Sequence, residues 1–112
     1  MEELITYEDF LKPEIRTGTI LSAQPFPAAR KPAFQLTIDF GPLGIKRSSA
    51  QITAHYSIDE LVGKQIVAVV NFPVKQIANF FSECLVLGVV QSDDTVILLQ
   101  PDTPVANGLR IA

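Results

Sequence analysis

The sequence predicts an all-β domain: five strands closed into a small Greek-key barrel, with only short helices added. Three observations predict it. Residues 33–40 alternate strictly, with Phe34, Leu36, Ile38 and Phe40 set against Ala33, Gln35, Thr37 and Asp39, as in a strand with one buried and one wet face. Short β-branched and apolar runs recur between Gly-, Pro- and Asp-containing turns. A single capping-box helix sits between the third and fourth of these runs. A five-stranded OB-fold barrel fits that order, and a β-sandwich is the alternative that periodicity leaves open.

Each element has a local reason. Thr6-Tyr7-Glu8-Asp9 reads as a helix start, with Thr6 as N-cap and an acid three residues on. Phe10 and Leu11 form its buried side, and Pro13 stops it. Ile15 to Gln24 is rich in Ile and Thr and reads as a strand, with Gly18 as a bulge or bend. FPAARKP (residues 26–32) is a loop. Gly41-Pro42-Leu43-Gly44 turns the alternating strand into a hairpin with Ile45 to Ile52. Ser57-Ile58-Asp59-Glu60 is a second capping box that opens a helix of about two turns, which Gly63 ends. Gln65 to Phe72 and Cys84 to Val90 are apolar strands, and Ser92-Asp93-Asp94 turns into Thr95 to Gln100. The whole is one domain: residues 1–13 an N-terminal helix, 14–91 the barrel, and 92–112 a C-terminal hairpin and dimer segment.

Composition bounds the function. The 112 residues are 47% hydrophobic and 19% charged, which suits a globular chain. The net charge of −3 argues against a general basic coat for nucleic acid and leaves room for a local basic patch. No apolar run is long enough to span a bilayer, so no membrane insertion is expected. MEELITYEDF is acidic and has no basic n-region, so no signal peptide is expected. One cysteine forms no internal disulfide, which suits a reducing, cytoplasmic setting.

The chemistry-bearing residues do not assemble an active site. His55 is the only histidine and has no partner at metal-ligand spacing. Cys84 lies in an apolar strand, where it serves as a small core residue rather than a nucleophile. No phosphate loop, G-x-S-x-G or G-x-G-x-x-G is present, so no cofactor, metal or catalytic role is expected. Lys46-Arg47-Ser48-Ser49 places two cations before two hydroxyls on one strand, a pattern suited to phosphate and sugar contacts. The segment Asn71 to Gly88, NFPVKQIANFFSECLVLG, is more irregular. Pro73 blocks a continuing ladder, and Val74 to Phe81 read as an excursion in which Asn79 can take a left-handed turn. Phe80 and Phe81 are adjacent and cannot both follow the inward alternation of one strand. Either one of them faces a ligand beside Lys75, with Phe80 the ring that turns inward, or both plug the barrel mouth.

EIRTGTI (14–20), IKRSSAQIT (45–53), the 71–88 segment and LLQPDTPVANGLRI (98–111) together resemble the tRNA-binding OB domains. That family includes domains appended to methionyl- and phenylalanyl-tRNA synthetases, EMAP-II-like proteins, and stand-alone bacterial members of the CsaA type, described as secretion-associated chaperones. The resemblance covers essentially the whole chain and implies an OB barrel, a homodimer and a non-enzymatic role. Its implied partners are tRNA or, alternatively, unfolded or exported polypeptides. The positions that match are Arg16, Lys46, Arg47, Ser48, Ser49, Asn71, Lys75 and Ser82, with Asn79 where glycine is usual and Phe81 where lysine is common. Val74 stands where proline is common, so the rim is more apolar than the family pattern. The nucleic-acid site is therefore expected at Arg16, Lys46, Arg47, Ser48, Ser49, Asn71, Lys75, Asn79, Phe81 and Ser82. The polypeptide alternative uses Phe72, Phe80 and Phe81. The dimer seam implied by the resemblance comprises Phe10, Leu98, Leu99, Pro101, Pro104, Val105, Leu109 and Ile111; the alternative is a tail packed on its own barrel.

Overall fold

In chain order the elements are α1 (Tyr7–Leu11), β1 (Ile15–Pro25), β2 (Phe34–Asp39), β3 (Ile45–Ala50), α2 (Ile58–Leu61), β4 (Gln65–Val69), β5 (Lys75–Ile77), β6 (Phe80–Ser82), β7 (Leu85–Val86), β8 (Gly88–Val90) and β9 (Val96–Leu98). They come from a computed structural model that describes residues 3–112. Residues 1 and 2, which begin the expected 1–13 helical segment, lie outside the described residues.

Strand β1 organises the barrel because it is long enough to pair twice. Its first half pairs with β4, from Ile15↔Val69 to Thr19↔Gln65. Its second half pairs with β2, from Thr19↔Asp39 to Pro25↔Phe34. The five-stranded antiparallel sheet runs β3-β2-β1-β4-β7. Its two ends nearly meet, where the Ser48 hydroxyl donates to the Cys84 carbonyl at 3.1 Å and the Glu83 amide to the Arg47 carbonyl at 2.8 Å. The result is a nearly closed, OB-like barrel. Its interior is filled by Ile20, Leu36, Ile38, Phe40, Leu61 and Ile66, all fully buried.

Several sequence expectations need correction. Gly18 is not a bulge. It pairs regularly with Ile66, while the register shift lies between Ile20 and Ser22. A Cβ at Gly18 would lie 2.8 Å from Ile38 and from the Phe40 ring, so the position is reserved for close packing. Ala33, expected on the wet face, is buried against Phe26 and Phe80 in a second small core, and Phe34 is only half-buried. Both capping boxes form, but each helix is one turn long. The second helix still reaches the core, because Leu61 is wholly buried; the left-handed Gly63, φ +88°, turns the chain into β4. No residue of helix α1 is fully buried: Phe10 is half-buried and Leu11 exposed.

The excursion at 74–81 is a hairpin, with Lys75↔Ser82, Gln76↔Phe81 and Ile77↔Phe80 paired. The left-handed turn residue is Ala78, φ +54°, rather than Asn79. The β8–β9 hairpin spans positions 91 and 92, where the sequence reading divides barrel from C-terminal segment. Its end is tied to β1: Thr17 donates to the Leu109 carbonyl at 3.0 Å and accepts from Gly108 at 2.7 Å, and Ile111 donates to Ile15 at 2.9 Å. These bonds take up the edge of β1 that β2 leaves free, and they match the alternative of a tail packed on its own barrel. No helix among the described residues is long and apolar enough to cross a membrane.

Candidate functional site

The hairpin β5–β6 is held by one ring. Phe80 is 2% exposed and packs against Phe26, with ring centroids 5.3 Å apart, and against Ala33. Both Phe26 and Ala33 bracket the β1–β2 loop, so that loop is pinned to the same ring. On its other side the Arg47 guanidinium sits 4.3 Å from the Phe80 centroid and reaches Gln35 Oε1 at 3.4 Å. A cation over an aromatic face contributes about 0.5–1 kcal/mol at an exposed position such as Arg47 and, here, fixes the direction of a long side chain. The β1–β2 loop, β3 and the hairpin therefore meet around Phe80.

Alternation along β3 decides which of its residues share a face. Lys46 pairs with Ile38 and Ser48 with Leu36, so these two belong to the inward set. Arg47 pairs with Thr37 and Ser49 with Gln35, on the outer face. Lys46 and Arg47 thus do not form one strip. Ser48 is wholly buried, with its hydroxyl committed to the Cys84 carbonyl, and has no surface to offer a ligand. Ser82 accepts from the Ser49 amide at 3.1 Å, which ties the hairpin to β3.

Two hollows adjoin on this outer face. One, of about 500 Å³, is walled by Phe72, Pro73, Val74, Ile77, Cys84 and Leu85, with Ser49, Gln51, Lys75 and Ser82 at its polar margin. The other, of about 600 Å³, runs between the β1–β2 loop, with Arg30 and Lys31, and the hairpin, with Lys75 and Gln76. Ser49, Gln51, Lys75 and Ile77 line both, so an apolar hollow and a cationic groove share one wall.

Other expected site residues lie elsewhere or have other work. Arg16 is ion-paired with Glu14 at 2.9 Å and donates to the Gly108 carbonyl at 3.1 Å, so it anchors the tail. Asn71 accepts from the Glu14 amide and donates to the Lys12 carbonyl, both at 2.8 Å, stapling α1 to the end of β4 around Pro13. Phe81 is 53% exposed but lies on the opposite face of the hairpin from Phe80 and Lys75, and it lines neither hollow. Asn79 is exposed at the hairpin tip and also lines neither. Of the expected polypeptide contacts, only Phe72 lines the apolar hollow. Sequence reasoning did not place Arg30, Lys31 and Gln51 at these hollows. Phe26 and Ala33, apolar residues on either side of PAARKP, were the signal that this loop is anchored rather than free.

Of the expected seam residues, Leu98 is buried in the barrel's own core and is closed to a partner. Leu99, Pro104, Val105 and Leu109 are exposed, while Phe10, Pro101 and Ile111 are half-buried. Burial pushes the Cys84 thiol up to about 11, so it stays protonated at neutral pH. His55 Nε2 lies 2.9 Å from Thr95 Oγ1, which donates to Asp93 at 2.6 Å; that bond holds the Asp93 carboxyl below its usual range. The described residues contain no group of three or more His, Cys, Asp or Glu side chains placed to hold a metal.

A family described as "Putative tRNA binding domain" matches residues 15–110. The methionine–tRNA ligase of Porphyromonas gingivalis is 36% identical over 109 residues, covering 97% of this chain but only 16% of the ligase. The crystal structure of chaperone CsaA from Bacillus anthracis str. Ames superposes with a TM-score of 0.93 at 52% identity, covering 98% of this chain and all of that one. That of the CsaA chaperone protein from Picrophilus torridus gives 0.91 at 55% identity, covering 97% of this chain and all of the other.

Proposed function

The chain belongs to the tRNA-binding domain family, and from that premise we propose that it binds tRNA on the outer face of β3, between the β1–β2 loop and the β5–β6 hairpin. The observation that carries this reading is the shared anchorage on Phe80. One buried ring packs against both ends of the Arg30–Lys31 loop, belongs to the Lys75 hairpin and carries the Arg47 guanidinium on its other side; Arg30, Lys31 and Lys75 line one groove, and Arg47 lies outside that lining, on the same face of β3 as Ser49, which does line it. A protein of net charge −3 would then attract a polyanion only locally, through phosphate contacts that position the ligand without reading its sequence. The chain acts by binding alone, with no bond made or broken, and a cytoplasmic location suits such a ligand.

Arg47→Ala should weaken tRNA binding and reduce the slope of log K against log salt by about one unit. Filter binding across a salt series checks this. An unchanged slope would mean that Arg47 only packs on Phe80.

A second reading is favoured by the apolar hollow beside Phe72 and by the likeness to proteins titled as chaperones. In that reading the hollow takes apolar side chains of unfolded or exported polypeptides. Apolar contact of this kind should be far less sensitive to salt than phosphate contact.

Either reading gains from a symmetric homodimer, since two weak sites on one ligand reinforce each other through effective concentration. Leu4, Ile5 and Tyr7, 64–95% exposed, and the half-open Leu99, Val105 and Leu109 supply apolar surface for it. Light scattering at micromolar concentration should give twice the 12.3 kDa chain mass. The mass of one chain would rule the dimer out.

A further inference from the structure

We propose that Glu83 is a positioning residue for Arg47: its carboxylate closes the barrel seam between β3 and β6, and it acts by reach rather than by charge. This rests on the tRNA-binding reading, in which Arg47 meets a phosphate, and adds the residue that holds Arg47 in place.

Arg47 and Phe80 lie on different strands, β3 and β6, with the guanidinium 4.3 Å from the ring centroid. No ladder holds those two strands together: β3 pairs with β2, β6 pairs with β5, and the two belong to separate sheets. In a regular antiparallel pair, two facing residues exchange both N–H···O bonds through their backbones. Arg47 and Glu83 exchange one bond in that way, from the Glu83 amide to the Arg47 carbonyl at 2.8 Å. The other is made by a side chain: the Arg47 amide donates to Glu83 Oε1 at 2.9 Å. The carboxylate stands where a backbone carbonyl would stand, because the strand is broken between Ser82 and Leu85. The Ser49 amide is met in the same manner, by Ser82 Oγ. Such a seam depends on side-chain identity, so a substitution at Glu83 can open it while the pairing of β3 with β2 stays intact. Glu83 is half-buried and lies three residues beyond Phe80 on the same segment. Its grip on Arg47 therefore keeps the ring against the guanidinium. The charge of Glu83 has no such use. It forms no salt bridge among the described residues, and a negative charge near a polyanion works against binding.

The test separates reach from charge with two variants of the whole chain, measured for binding of unfractionated tRNA across a salt series. Glu83→Asp keeps the charge and shortens the side chain. Glu83→Gln keeps the acceptor oxygen and its reach and removes the charge. Glu83→Asp should lose about one unit of salt slope, and about tenfold in affinity at about 50 mM salt, the contribution of one phosphate contact. Glu83→Gln should keep the wild-type slope, with affinity equal or higher. In an Arg47→Ala background, Glu83→Asp should lose no further slope, which a general loosening of the barrel would not reproduce. Hydrogen exchange at the Arg47 amide reads the seam without RNA: it should speed up in Glu83→Asp and stay as in wild type in Glu83→Gln. Wild-type slope or wild-type exchange in Glu83→Asp, a reduced slope in Glu83→Gln, or equal losses from Glu83→Asp with and without the Arg47 side chain would overturn the positioning role. Failure of the wild-type chain to bind tRNA, with the exchange pattern as expected, would overturn the tRNA reading and, with it, any part for Glu83 in binding.

Discussion

Phe80→Ala is expected to lower the stability of the fold by about 3–5 kcal/mol, while Phe81→Ala, one residue on, should change it by about 0.5 kcal/mol or less. The difference follows from strand alternation. Phe80 is 2% exposed and Phe81 53% exposed, on opposite faces of the same hairpin strand. Truncating Phe80 removes the contact with Phe26, the partner of Arg47 and the link to Ala33, and leaves a cavity under three segments. Loss should therefore appear twice: in urea or thermal unfolding, and in tRNA affinity of the molecules that remain folded, because Arg47 and the Arg30–Lys31 loop lose their common support. Phe81→Ala should leave both nearly unchanged, since that ring lines neither hollow. Equal loss of stability in the two variants would show that both rings are core.

The barrel was legible in the sequence because its signals are local. Leu36, Ile38 and Phe40 announce a half-buried strand by alternation, and Thr6/Asp9 and Ser57/Glu60 announce helix starts by spacing; all of these form as read. The inward turn of Phe80 was also accessible, since two adjacent rings on a strand must part. What escaped was set by non-local pairing. Gly18 reads as a bend in isolation, and only the packing of Ile38 and Phe40 across it shows why a side chain is excluded. Arg16 and Asn71 look like free polar groups until the tail and α1 are placed against them. Lys46 and Arg47 look like one patch because they are adjacent, although adjacency on a strand places them on opposite faces. The Arg30–Lys31 loop shows the reverse error. In the sequence it reads only as a loop, and its place at the groove depends on Phe26 reaching a residue more than fifty positions away.

The most direct measurement is the salt dependence of tRNA binding by a variant with Arg30, Lys31, Arg47 and Lys75 all changed to alanine. A control variant would change Lys12, Lys46, Lys64 and Arg110, none of which lines either hollow or, as Arg47 does, sits on the Phe80 ring. Both lose four positive charges and move the net charge from −3 to −7 (−3 − 4), so a generic loss of attraction would affect them alike. If the groove holds phosphates, the first variant should lose about three to four units of slope, and at low salt its affinity should fall by about a thousandfold or more. The control should keep most of both. Equal losses in the two variants, or a slope in the first indistinguishable from wild type, would contradict a tRNA site between the β1–β2 loop and the β5–β6 hairpin.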